Sequence, residues 1–131
     1  MSSEKEIVHE IEQSFIKSSE IIKESVLLSE QIHEVINKIT IALKSGNKII
    51  LFGNGGSATD AQHIATEFLG RFKIERNSLP AISLTDNSSL LTALSNDYSS
   101  DIIFSRQCSS MVSRDDIVLA ISTSGNSENV R

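Results

Sequence analysis

From Lys5 to Lys44 the chain has neither Gly nor Pro, and apolar residues recur at helical spacing among charged ones: Ile7, Ile11 and Phe15, then Ile22, Val26, Val35 and Ile39. This pattern predicts two helices or one long bent helix. Ile21, Leu27, Leu28, Ile32, Ile36 and Leu43 broaden the apolar face beyond what a single neighbouring surface covers. The segment therefore suits burial against a second subunit as well as packing on its own sheet. Gly46 and Asn47 stop the helix, and Lys48-Ile49-Ile50-Leu51-Phe52 reads as a buried strand. It runs into Gly53-Asn54-Gly55-Gly56-Ser57, after which Ala58 to Phe72 reads as a helix with Ala61, Ile64, Ala65 and Phe68 on its inner side.

A second such unit follows, with Pro80 to Leu84 as strand, Thr85 to Ser88 as loop and cap, and Ser89 to Ser95 as a short helix broken by Asn96-Asp97-Tyr98. Ser100 to Met111 is predicted helical and Asp116 to Ile121 is a third apolar strand, which ends in Ser122-Thr123-Ser124-Gly125-Asn126-Ser127. Strands alternating with helices predict a three-layer α/β fold around a parallel sheet. Two parts result: residues 1–45, a helical segment suited to oligomerisation, and residues 46–131, the α/β domain. Ser127 to Arg131 looks like the first turn of a helix without a body, so the C-terminal part of the domain is expected to be missing.

Composition narrows the function. The 131 residues carry 12 Lys+Arg against 17 Asp+Glu, a formal charge of −5, which argues against a non-specific nucleic-acid grip. No apolar run approaches the roughly 20 residues of a membrane helix, and the polar, mixed-charge N-terminus is unlike a signal peptide, so a cytoplasmic protein is expected. The single cysteine, Cys108, excludes an internal disulfide and reads as a small packed hydrophobe.

In open α/β sheets ligands bind beyond the carboxyl ends of the strands, where free helix N-terminal N–H groups favour anions. Ser122, Thr123, Ser124 and Ser127 place four hydroxyls within six positions there, with Gly125 allowing close approach and Ser57 joining from the glycine loop. These residues also suit simple helix capping. The loop lacks Gly-Lys-[Ser/Thr] and has no basic residue from Ser122 to Asn129, so a nucleoside triphosphatase is disfavoured. Ala58 breaks the spaced glycine fingerprint of dinucleotide binding. A monophosphate on a small molecule fits best. His63 and Glu67, four apart, share a helix face and suit a base beside a sugar, two ligands of a divalent metal, or a plain surface contact. Asn96 and Asp97 suit sugar hydroxyls or a helix end, and Arg71 suits the helix C-terminus or a substrate across a subunit boundary.

Gly53-Asn54-Gly55-Gly56-Ser57-Ala58-Thr59-Asp60-Ala61-Gln62-His63, Glu67, Gly70-Arg71-Phe72, Glu75-Arg76, Asn96-Asp97-Tyr98, Phe104-Ser105-Arg106-Gln107 and Ile121 to Ser127 closely resemble the phosphoheptose isomerases, which are sugar isomerase (SIS) domain proteins. The resemblance runs from about Lys48 to the last residue. It implies a flavodoxin-like SIS domain that interconverts sedoheptulose 7-phosphate and glycero-manno-heptose 7-phosphate, a step toward the heptose of bacterial lipopolysaccharide. It implies substrate contacts from Asn54, Gly55, Gly56, Arg71, Asn96 and Asp97, and phosphate contacts from Ser57, Ser122, Thr123, Ser124 and Ser127. Glu67 becomes the catalytic base, working through an enediol, and His63 and Glu67 become ligands of a zinc ion. Homotetramers with sites between subunits are implied as well. The family takes its acid His, a Gln and a further acidic residue from a C-terminal region with no counterpart among these residues. Two non-enzymatic relatives of the fold are the alternatives: the DnaA initiator-associating protein, and a sugar-phosphate sensor. Glu67 and the unbroken Ser122-Thr123-Ser124 favour the enzyme over the first, and Glu67 favours it over the sensor, which would keep the hydroxyl loop but needs no base.

Overall fold

The computed structural model describes residues 3–131, so the first two positions of the N-terminal segment lie outside the described residues. The chain divides after Asn37 into two compact units, with the boundary inside a helix. The first unit opens on α1 (Glu4–Glu24), started by a reciprocal capping box in which Ser3 Oγ accepts from the Glu6 N–H and the Ser3 N–H donates to Glu6 Oε2. A single 3₁₀ turn, Ser25–Leu28, joins it to α2 (Ser29–Lys44). The bend has a local cause: Ser25 Oγ donates to Ile21 O and Ser29 Oγ to Val26 O, back-bonds that compete with the helical ladder where no glycine intervenes. No residue of α1 is buried, and Phe15 and Leu27 are 75% and 82% exposed.

In the second unit α2 ends as expected. Gly46 takes φ +83° while its N–H and that of Asn47 donate to the Leu43 and Ala42 carbonyls. Three strands, β1 (Ile49–Gly53), β2 (Ala81–Ser83) and β3 (Ile117–Ile121), form one parallel sheet in the order β2-β1-β3. Ile49 is in register with both Ala81 and Ile117, and Gly53 with Ile121. The central strand β1 is buried throughout, and its alternating side chains serve two cores. Ile49 and Leu51 meet Ala61 and Ala65 of α3 (Gly56–Leu69), with Ile39 and Leu43 packed alongside. Ile50 and Phe52 face the other way, onto Leu84, Leu94 of α4 (Ser88–Asp97), and Ile103 and Phe104 of α5 (Ile103–Met111). Phe52 and Phe104 stack with centroids 4.7 Å apart. Helices therefore cover both faces, the three-layer arrangement the alternation predicts. Cys108 packs against this second core, and burial pushes its thiol up, as suits a packing residue.

Several boundaries differ from expectation. α3 begins at Gly56 and ends at Leu69, before Phe72, because Gly70 caps it and the following segment leaves the helix axis. α4 continues through Asn96 and Asp97, whose side chains bond each other rather than the helix backbone, and the break falls at Tyr98. The segment from Ser100 starts as a 3₁₀ turn before α5. Ser127 to Arg131 does close a turn, with the Val130 and Arg131 N–H groups donating to Ser127 O.

At the amino ends of β1 and β3, Asp116 acts as a clip. Its carboxylate accepts from the Lys48 N–H, Lys48 Nζ at 2.6 Å and the Ser113 N–H, and the side chain is 2% exposed. The Lys48 bonds lower its pKa from 3.8 to about 2. A carboxyl depressed in the fold stabilises it fully above its unfolded pKa and loses that contribution as pH falls toward its folded one. Stability is therefore expected to drop between about pH 5 and pH 2 in thermal melts. Asp116→Ala is expected to cost about 2–3 kcal/mol at pH 7 and to flatten that acid dependence. An unchanged acid limb in the variant would assign the effect to other carboxylates.

Candidate functional site

The carboxyl edge of the sheet brings together the loops after β1 and β3. Gly53 makes this possible. A Cβ there would stand 2.7 Å from Ile121 O and 2.7 Å from Ser57 Cβ, so only glycine lets the end of β1 lie between the end of β3 and the start of α3. Gly55 then turns with φ +56° and serves as the N-cap of α3, and no side chain caps that helix. The Ser57 N–H donates to Asn54 O and the Ala58 and Thr59 N–H groups to Gly55 O, so of the first amides of α3 that of Gly56 is the one left without a backbone acceptor among the described residues. Ser57 in the first turn is only 6% exposed as a residue, and no buried side-chain polar atom among the described residues is left without a hydrogen-bond partner.

In the loop after β3, Ser122 Oγ lies 3.4 Å from both Ser124 Oγ and Ser127 Oγ. Ser122 Oγ also accepts from the Gly125 N–H and Ser124 Oγ from the Asn126 N–H, with Gly125 at φ +66°. These serines do cap their own loop. The two hydroxyl–hydroxyl contacts use one hydrogen each, so one of the three hydroxyl hydrogens is left over, and the other two can be donated to a phosphate oxygen in exchange for those long contacts. The Thr123 hydroxyl makes no hydrogen bond among the described residues and is exposed.

Asn54 is tied to this second loop by a residue the sequence reading passed over. Its Nδ2 donates to Asn129 Oδ1 at 2.7 Å, and Asn129 Nδ2 donates back to Asn54 Oδ1 at 3.2 Å and to Ser100 O at 3.2 Å. Nothing in a lone Asn at position 129 signals this pairing, because its partner stands 75 positions away.

Glu67 lies elsewhere on α3. It stands ten residues beyond Ser57, about 15 Å along a helix axis. His63 Nε2 is 3.4 Å from Glu67 Oε1, so the pair does share a face. That spacing equals the ligand-to-ligand edge of a tetrahedral zinc site, about 3.3 Å for bonds of roughly 2.0–2.1 Å. An imidazole and a carboxylate so placed fit a zinc ion as two of its four ligands. Among the described residues no cluster of three His, Cys, Asp or Glu completes the set.

Glu67 also lines a cavity of about 360 Å³ whose other walls are Ile64, Phe68, Phe72, Ile74, Leu79 and Arg76. Arg76, not Arg71, holds the C-terminal end of α3. Its guanidinium donates to the carbonyls of Glu67, Phe68, Gly70 and Asn77. Arg71 is exposed, with Nε 3.6 Å from Glu75 Oε2. Asn96 and Asp97 are exposed at the end of α4, and no hydrogen bond joins them to either loop among the described residues.

A parallel α/β sheet thus carries a hydroxyl loop and the start of α3 together at its carboxyl edge. The chain belongs to the SIS domain family, whose model matches residues 8–130. It is 51% identical over 125 residues to a phosphoheptose isomerase of Aquifex aeolicus, covering 95% of this chain and 65% of that protein. It is 60% identical over 90 residues to one of Pelobacter propionicus, covering 69% and 48%. The solved structure of a phosphoheptose isomerase from Neisseria gonorrhoeae superposes with a TM-score of 0.87 at 37% identity, over 95% of this chain and 65% of that one. The chain thus spans about half to two thirds of the length of the relatives it matches. No helix among the described residues is long and apolar enough to cross a membrane.

Proposed function

We propose that this chain is the substrate-binding and base-carrying part of an aldose–ketose isomerase acting on sedoheptulose 7-phosphate, in the supply of heptose for lipopolysaccharide. The observation that carries the reading is the Ser122, Ser124 and Ser127 hydroxyl cluster at the carboxyl edge of the sheet, with the start of α3, capped by Gly55 and by no side chain, at the same edge. Neutral donors there hold the phosphate, and Thr123 adds a free hydroxyl. Asn54, Gly55 and Gly56 approach the sugar, with Asn96, Asp97 and Arg71 assigned to it by resemblance.

Glu67 takes the proton from C1 of the ketose as the enediol forms and returns it to C2 to give the aldose. An acid that protonates the carbonyl oxygen is assigned to residues beyond those present here. The family resemblance assigns the site to a boundary between copies, so residues of one copy complete the site of another. The unburied apolar residues of α1 supply a surface for that association, which we assign to a cytoplasmic homotetramer. His63 and Glu67 would hold a zinc ion, which when bound polarises the substrate carbonyl. Glu67 separates this reading from the initiator-binding and sensor alternatives, since neither needs a base. Conversion of sedoheptulose 7-phosphate to the aldose by the longest natural polypeptide containing these residues tests it. The unphosphorylated sugar is expected to react at least about 10²-fold more slowly, for want of the phosphate's binding energy.

A further inference from the structure

We infer that Asn129 is a positioning residue that fixes the orientation of the Asn54 carboxamide toward the sugar, an inference that rests on the reading above. The argument is one of donors and acceptors. A carboxamide has two N–H donors and one oxygen with two lone pairs, and either end can face a given partner. Ser100 O is a backbone carbonyl and can only accept. Asn129 must therefore turn Nδ2 toward it, at 3.2 Å. The second Nδ2 hydrogen goes to Asn54 Oδ1 at 3.2 Å, so both donors of Asn129 are engaged. Asn129 Oδ1 is then left facing Asn54, which meets it with Nδ2 at 2.7 Å. A group that cannot flip, the Ser100 carbonyl, thereby decides through Asn129 which way Asn54 faces.

Asn54 retains one N–H and one lone pair, both directed away from Asn129. That is the complement of a sugar hydroxyl, which both donates and accepts. The pair also links three segments: the glycine loop, the loop after β3, and the turn that follows Asn96 and Asp97. Asn54 is exposed and Asn129 only half-buried, so the pairing is reachable by substrate without sitting in either core.

The test is a double-substitution cycle in the longest natural polypeptide, assayed on sedoheptulose 7-phosphate, with side-chain amide exchange of Asn54 read by NMR. Asn129→Ala is expected to lower kcat/KM about 10-fold with wild-type Tm, and Asn54→Ala by a similar factor. Asn129→Ala added to Asn54→Ala is expected to change kcat/KM less than about twofold, since the residue it orients is gone. Asn129→Asp, which cannot donate to Ser100 O, is expected to match the alanine variant. Multiplying losses in the double variant, or an Asn129→Ala enzyme equal to wild type, would overturn the inference. If the wild-type polypeptide does not isomerise the sugar, the isomerase reading falls alone. The relay then stands or falls on whether Asn129→Ala speeds exchange of the Asn54 amide protons.

Discussion

Glu67→Gln is expected to lower turnover about 10³-fold while leaving affinity for sedoheptulose 7-phosphate within about twofold of wild type. The amide keeps the shape of the carboxylate and its place in the last turns of α3, held there by Arg76 through the Glu67 carbonyl. What it loses is the oxygen that accepts a proton from carbon. The comparison needs kcat from initial rates and Kd from calorimetry on the same preparation. Turnover within tenfold of wild type would remove Glu67 from the role of base. Lost affinity together with lost turnover would make it a binding residue instead.

Gly53→Ala is expected to destabilise the fold by about 2–4 kcal/mol, lowering Tm by about 10 °C. The added Cβ would meet Ile121 O and Ser57 Cβ at 2.7 Å and the Ser57 carbonyl carbon at 3.0 Å, and the first and last of these are backbone atoms that no rotamer change can move. Relief requires parting β1 from β3 or α3 from the sheet, and either opens the space between the two loops. Substrate affinity should therefore fall along with stability. Thermal melts and ligand titrations of the same variant check both, and a Tm within 1 °C of wild type would contradict the packing argument.

The fold was legible wherever one residue type dominates a local choice. The apolar run at Ile49 to Phe52 can only be a buried strand, the Gly46-Asn47 stop is local chemistry, and the regular spacing of Ala61, Ile64, Ala65 and Phe68 fixes the inner face of α3. The ends of α3 and α4 were less legible. Asn96 and Asp97 are helix-breaking types, yet they satisfy each other in pairs and let α4 run on to Tyr98. The candidate site divides the same way. The hydroxyl cluster and the His63–Glu67 pair are contiguous or one turn apart, so sequence alone displays them. Asn129, Arg76 and Gly53 act through contacts with distant segments or with backbone carbonyls, which carry no side-chain signature. Arg71 and Arg76 both follow α3, and only the three-dimensional path of the chain decides which of them reaches the helix end.

The most direct measurement is the conversion of sedoheptulose 7-phosphate by the longest natural polypeptide containing these residues, followed by NMR in deuterated water. The account predicts formation of the heptose 7-phosphate aldose, with solvent deuterium appearing at C2 as the proton held by Glu67 exchanges. Tight binding of the sugar phosphate with no interconversion would contradict it and leave a domain that binds its ligand without turning it over.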